Sequence, residues 1–476
     1  MAGVSNRLSA EDAAFLYLEE PTLPMHVGSV MVFDPPKEGF DYDQFVQVIS
    51  DRIAGRRRYR QRVRHVPGRI ANPVWVDDPH FDLSYHVRRS ALPVPGDQGQ
   101  LEEFVARILS RPLDRDRPLW EAYFVEGVED GRFAVVTKAH QSMVDGIEAV
   151  DIAALILDPE AVAGEDPGEY APSDLRLVAD AVMSSVLSPR TALGTLRTGL
   201  RDVTDTGRRV AETAGQVVAT LAKVGASPAP DSPLNQPVGS ARRFVVLKTD
   251  LEDYRSIRTR LTRGRYVEDV TINDVVLATI SGGLRTWMQT RGLPVTSTTT
   301  VRVMVPVSIK GDDGDAAGGT TLRACFVDLP VGETNPSMRL HQIAFAMRQQ
   351  MESAAIEGVD AASLSSMNGF APPTLHSFGA RLGSAMTRRL FNLVITNVPG
   401  PQQTLSVEGS RMASTYPVMP LGRGQALAIG MTSYDGKVFY GLTADRDAMP
   451  DLDVLAQAIY DSLDELRTAH RSGRRS

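Results

Sequence analysis

Apolar residues alternate with smaller or polar ones through 27–34 (VGSVMVFD), and Pro35-Pro36 closes the run, which predicts a strand. Over 42–53 the spacing becomes helical, with Phe45, Val48, Ile49 and Ile53 recurring on one face. A short strand is predicted at 73–78 and an amphipathic helix over 101–114, broken at Pro112. Two apolar runs, 120–128 and 132–140, flank Glu129-Asp130-Gly131 and read as a hairpin. A helix over 146–158 follows, with Val150, Ala153, Ala154 and Leu157 sharing a face.

The texture changes after Asp158. Residues 159–174 are rich in acids, Pro, Gly and Ala and read as a linker. The stretch 175–225 contains no aromatic residue, spaces its aliphatic residues helically, and carries more basic than acidic side chains. A second Pro-rich connector spans 226–240. From Ala241 a second α/β body is predicted: a strand at 242–251 and a long helix at 271–292. Strands at 299–309 and 322–331 then flank a Gly/Asp-rich loop at 311–319, and a helix occupies 338–354. A strand and turn at 390–400, a hairpin turning at Asp435-Gly436 and a last helix from 452 complete it. The expected division is 1–160, an insert at 161–240, and 241–476.

Composition narrows the class. At 476 residues the chain is long enough for two cores. Its 42% hydrophobic and 23% charged residues match globular usage. A net charge of −7, from 51 Lys+Arg against 58 Asp+Glu, argues against a dedicated nucleic-acid binder, which needs a basic face. The single cysteine, Cys325, excludes an intrachain disulfide and fits a reducing cytosol. The start of the chain lacks the basic head and apolar stretch of a signal peptide. No window has the roughly 18 uncharged apolar residues of a membrane span, so contact with lipid is expected to be peripheral.

Eight histidines are available for chemistry. His26, His65, His80, His86, His341, His376 and His470 stand singly in polar or irregular stretches, where a solvated or hydrogen-bonded role is expected. His140 ends a predicted strand and leads through Gln141 into Asp145-Gly146 and a helix. Such a strand-to-helix turn places side chains at a sheet edge, where ligand crevices form. On these grounds a catalytic His140 and a merely hydrogen-bonded one, with Asp145 as a helix cap, remain equally open. No Gly-X-Ser-X-Gly elbow or phosphate loop occurs, and the histidines lack zinc-site spacing. Asp312-Asp313-Gly314-Asp315 has no closing glutamate for calcium.

Several segments, in this order, are specific together: LSAEDAAFLYLE near the start, PMHVGSVMVFD, RPLDRDRPLWE (111–121) and KAHQSMVDG (138–146). SPLNQPVGSARR (232–243), TINDVVLA (271–278), VMVPVSI (303–309) and ITNVPGP (395–401) follow. Over nearly its whole length the chain resembles the bacterial wax ester synthase/acyl-CoA:diacylglycerol acyltransferase family. The resemblance implies an α/β, two-lobed chloramphenicol-acetyltransferase/condensation-domain-like fold, each lobe a mixed sheet with flanking helices. It implies an active site between the lobes and transfer of a fatty acyl group from acyl-CoA to diacylglycerol or a long-chain alcohol. Acyl-CoA is then a co-substrate, and neither a cofactor nor a metal is expected. Such chemistry needs a base for the hydroxyl proton and donors for the oxyanion.

The family motif is His-His-X-X-X-Asp-Gly, whose second histidine is the usual base. Here His140 matches the first and Gln141 stands at the second. Glutamine has no titrating lone pair, which leaves two readings: weakened acyl transfer, or a binding protein that kept the fold. The resemblance also implies that Asp145 and Gly146 hold the turn and that Asn273 and Asp274 match an Asn-Asp motif near the site. Trp120, with Pro118, is expected to shape the acyl tunnel, and Asn397 to lie in a turn near the coenzyme A entrance or between lobes. The insert at 175–225 reads equally as a helical cover or as a peripheral contact with a membrane or lipid-droplet surface.

Overall fold

The structure, a computed structural model, describes residues 6–54, 56–69, 71–144, 152–157, 172–173, 175–177, 228–261, 270–310, 320–357 and 390–472. Asp145, Gly146, the loop 311–319, most of the linker at 159–174 and all but the first residues of the 175–225 stretch lie outside them.

In chain order the first half holds α1 (Ala10–Leu18), β1 (His26–Asp34), α2 (Tyr42–Ile49), β2 (Gln61–Arg64), β3 (Val74–Asp77) and α3 (Leu83–His86). It continues through β4 (Val87–Ala91), α4 (Gln98–Leu109), β5 (Trp120–Val128), β6 (Arg132–His140), α5 (Gln141–Val144) and α6 (Ile152–Leu157). The second half opens with β7 (Arg242–Asp250), α7 (Leu251–Leu261), α8 (Ile272–Thr290), β8 (Val301–Lys310), β9 (Thr320–Leu329) and α9 (Pro336–Glu357). It ends with β10 (Leu393–Pro399), β11 (Ser406–Val407), β12 (Ser410–Val418), β13 (Leu427–Tyr434), β14 (Lys437–Asp445) and α10 (Leu452–Ser472).

Two six-stranded mixed sheets organise these elements. The first has the order β11-β12-β1-β6-β5-β4 and the second β7-β14-β13-β10-β8-β9. Only β4 and β5 run parallel in the first, whereas in the second β10 is parallel to both β8 and β13. Both predicted hairpins form. Each turns through an Asp-Gly pair in left-handed backbone, Asp130-Gly131 (φ 63° and 72°) and Asp435-Gly436 (φ 45° and 74°). No helix among the described residues is long and apolar enough to cross a membrane.

Sheet membership does not follow a cut at residue 241. Strand β12, from the second half, pairs along β1 from Gly28↔Val418 to Asp34↔Arg411 and completes the first sheet. It simultaneously packs on β13 and β14, so closely that a Cβ at Gly441 would lie 1.9 Å from the Pro417 carbonyl oxygen. Phe244, Val246, Tyr434 and Phe439 of the second half join the first core. The lobes are therefore interlocked.

Helix α4 closes the opposite side of the seam. Glu102 Oε1 accepts the Val246 N–H of edge strand β7 at 3.0 Å and the Gln98 side-chain N–H at 2.8 Å. Burial raises the Glu102 carboxyl above its usual range. Glu102→Ala strips a backbone donor of its partner at this seam. The expected loss is about 1–3 kcal/mol, read as a lower urea midpoint with an unchanged m-value.

Candidate active site

Strand β6 delivers His140 to the sheet edge opposite His26, its register partner on β1. The His140 side chain is 1% exposed. Its Nδ1 accepts the Ser142 backbone N–H at 3.1 Å and lies 2.7 Å from Ser142 Oγ. With Nδ1 occupied as an acceptor, these bonds assign the proton of the neutral ring to Nε2. Burial, and then the nearby Arg115 charge, push this imidazole down to about 3. His140 is thus neutral at ordinary pH, and its basicity is far too low for it to take a hydroxyl proton efficiently.

The backbone of the turn is tied on both sides. The His140 N–H donates to the Leu119 carbonyl and the Gln141 N–H to the Met25 carbonyl, each at 2.9 Å. Gln141 then opens α5 as a half-buried residue, followed by buried Ser142 and Met143.

Four of the sequence landmarks meet here. Glu19, at the C-terminal cap of α1, is only 7% exposed. Its Oε1 lies 3.7 Å from His26 Nε2 and its Oε2 3.7 Å from His140 Nε2. Arg115 donates from Nε to Glu19 Oε2 at 2.8 Å and from Nη2 to the Leu16 carbonyl at 3.0 Å. His26, expected in a polar or irregular setting, is instead buried, with its ring centroid 6.4 Å from that of His140. It accepts the Leu113 N–H at Nε2, 3.3 Å away, and burial holds it well below its usual range. Its environment is assembled from residues 7 and 87 positions away, which no local pattern discloses.

One row further along the same face, Lys138 is 1% exposed and lies 3.6 Å from Glu121. It donates to the carbonyls of Ile108 (3.2 Å) and Arg111 (2.6 Å), stopping α4. Burial brings this ammonium down to about 8.

Trp120 is a packing residue of the first core. It pairs with Ala139, one residue before His140, and therefore faces the other side of the sheet. There it is fully buried, stacked on His86 at 4.7 Å, with its indole N–H donating to the Tyr59 carbonyl at 2.7 Å. His86, also expected in a polar setting, is buried by this stack, and its Nδ1 lies 2.7 Å from the Trp120 carbonyl oxygen.

In the second lobe the two asparagines do come together. Asn397, near the end of β10, donates from Nδ2 to Asn273 Oδ1 at 3.3 Å. Asn273 sits in the first turn of α8, while Asp274 forms a capping box with Thr271. The Asp274 carboxylate accepts the Thr271 backbone N–H and hydroxyl, each at 2.8 Å, and burial raises its pKa. This accounts for Asp274 as a helix cap. Between the lobes lies a cavity of about 170 Å³ walled by Val30, Val105, Phe244, Val246 and Tyr416, with Glu102 on its lining.

The two-lobed α/β fold is shared with the first condensation domain of the CDA synthetase, which is 15% identical with a TM-score of 0.53 and covers 98% of this chain and 97% of that one. Residues 8–276 match the wax ester synthase/diacylglycerol acyltransferase catalytic domain, and residues 319–467 match the C-terminal domain of the same family. The chain belongs to the wax ester synthase/diacylglycerol acyltransferase family.

Among its relatives, the probable diacylglycerol O-acyltransferase tgs3 of Mycobacterium tuberculosis is 42% identical over 53% of this chain and 96% of its own length. The probable diacylglycerol O-acyltransferase tgs1 of the same species is 30% identical over 97% of this chain and 96% of its own. The solved wax ester synthase/diacylglycerol acyltransferase from Marinobacter aquaeolei VT8 is 28% identical, with a TM-score of 0.66, covering 98% of this chain and 100% of that one.

Proposed function

We propose that this protein transfers a long-chain fatty acyl group from acyl-CoA to the hydroxyl of diacylglycerol, with long-chain alcohols as second acceptors, and that it does so without a histidine base. One observation carries the second half: Gln141 heads the turn where the family places its base, while the adjacent His140 is buried, neutral and engaged by Ser142.

The chemistry is a single displacement at a thioester. The acceptor oxygen attacks the carbonyl, a C–O bond forms, the C–S bond breaks, and coenzyme A leaves as a thiol. The hydroxyl proton passes to water or to the departing sulfur. The Gln141 amide carries N–H donors and a carbonyl acceptor that can orient the hydroxyl, but it cannot remove its proton. Asn273 and Asn397 supply polar groups from the second lobe. Both substrates carry long hydrocarbon chains, so encounter takes place at a lipid surface that the protein meets from one side.

The same glutamine supports a second reading, an acyl-CoA-binding protein with negligible turnover. Radiolabelled palmitoyl-CoA, offered with diacylglycerol or hexadecanol, separates the two. Slow ester formation above the enzyme-free control is expected. Stoichiometric acyl-CoA binding with no ester would leave the binding reading alone.

A further inference from the structure

The face of the first sheet that carries His26 and His140 continues along β1 as a mostly apolar floor. His26 pairs with His140, Val30 with Val136 and Tyr416, and Val32 with Ala134 and Ser414, so all of these share one face. Gly28, between His26 and Val30 on that face, has no side chain. Lys138 opposite it turns away, toward Glu121 and the carbonyls at the end of α4. Helix α4 and strand β7 lie side by side above this floor. At the end nearer the histidines the Arg242 N–H donates to Ser110 Oγ at 3.1 Å, and further along the Val246 N–H donates to Glu102 at 3.0 Å. Floor and roof enclose the interlobe cavity of about 170 Å³.

Length, volume and polarity fit one kind of occupant. At about 3.4 Å per residue, Val30 lies about 14 Å and Val32 about 20 Å beyond His26 along the strand. A fatty chain of about sixteen carbons spans about 15 Å, half of a bilayer's hydrocarbon core, so its end falls at these valines. The volume slightly exceeds the cavity of about 150 Å³ that holds a benzene, which is room for about six carbons. Glu102 is engaged by Val246 and Gln98, Tyr416 by Ser414 and Arg132 by Asp34, so these lining groups ask no hydrogen bond of an occupant. We propose that this cavity receives the far end of a substrate's hydrocarbon chain, and that Val30, Val105 and Phe244 thereby set the chain length the enzyme prefers. The inference rests on the acyl-transfer reading of the Gln141 turn. The donor acyl group and a long-chain alcohol share this chemistry, and the test tells them apart.

Two chain-length series supply the test: acyl-CoAs from octanoyl to stearoyl with diacylglycerol, and alcohols from octanol to octadecanol with palmitoyl-CoA. Val105→Phe fills the cavity. It is expected to lower the ratio of kcat/KM for palmitoyl-CoA over octanoyl-CoA about tenfold to a hundredfold, the worth of about two or three buried methylenes. Val105→Ala enlarges the cavity and should move the optimum toward longer chains, and it serves alone if overpacking keeps Val105→Phe from folding. A shift confined to the alcohol series upholds the cavity's role and assigns it to the acceptor's chain. Folded variants whose chain-length ratios match the wild type in both series would overturn the proposal. A binding readout is independent of turnover. Calorimetry with the long and short members of each series is expected to show wild type favouring the long one in at least one series, and Val105→Phe reducing that margin. An unchanged margin in both overturns the proposal. A reduced margin in a protein that makes no ester upholds the cavity's role and sinks acyl transfer instead.

Discussion

Gln141→His raises kcat for palmitoyl-CoA-dependent acylation of diacylglycerol by about 10²–10⁴-fold, the usual worth of a positioned general base. The turn that receives the new imidazole is already built. Its backbone is held by the Leu119 and Met25 carbonyls, and the neighbouring ring is engaged by Ser142, none of which the substitution touches. Gln141 is half-buried, so a ring there is less desolvated than His140 and keeps a pKa closer to the ordinary value of about 6.5. The pH–rate profile should therefore gain an acid limb near that value, which the wild-type enzyme lacks. KM values should change by no more than a few-fold, since the proton is taken only in the transition state. His140→Ala gives the contrast, a loss through misalignment with no new or vanished titration. A folded Gln141→His enzyme no faster than wild type would show that proton removal does not limit this reaction.

The elements that periodicity announced are those whose burial is local. The runs 120–128 and 132–140 became β5 and β6 residue for residue, because every side chain from Trp120 to Val125 and from Phe133 to His140 is buried on one sheet face or the other. Strand β12 escaped notice for the opposite reason. Its buried positions are Ser410, Met412, Ser414, Tyr416 and Val418, where serines alternate with apolar residues and blur the strand pattern. Those serines are tolerated because the strand lies between two lobes, with β1 beside it and β13 and β14 against it. Only long-range pairing reveals that geometry.

The site was legible as a set of segments and not as a set of contacts. Glu19, His26, Arg115 and His140 all lie in stretches that mark the family, yet nothing in the spacing says that they share one cluster. The parity of a strand settles Trp120: opposite Ala139, it must point away from His140, and the stack on His86 follows. Asn273 and Asn397 are 124 positions apart and meet because β10 runs up to the start of α8.

Lowering the pH from 7 to 5 destabilises the folded protein, and the buried neutral histidines His26, His86 and His140 contribute a separable share. An unfolded histidine titrates near 6.5, whereas folded His140 stays unprotonated until about 3, because burial and Arg115 oppose the charge. Below pH 6.5 the unfolded chain gains a proton that the folded ring refuses. Stability is therefore fully present above that pH and is lost progressively as pH falls toward about 3, at up to roughly 1.36 kcal/mol per pH unit. For His140 the loss between pH 7 and 5 is about 2 kcal/mol. His26, held well below its usual range by burial, then by Lys138 and His140, adds to it with the same sign. Glu102, Asp12 and Asp274 act oppositely, since burial raises each of them and the folded state accepts their protons first. The histidine share is isolated by subtraction. His140→Asn should have a urea midpoint that falls less between pH 7 and 5 than the wild-type midpoint does. Equal falls in the two proteins would mean that His140 can take up a proton in the folded state, and a ring so easily charged would again be a candidate base.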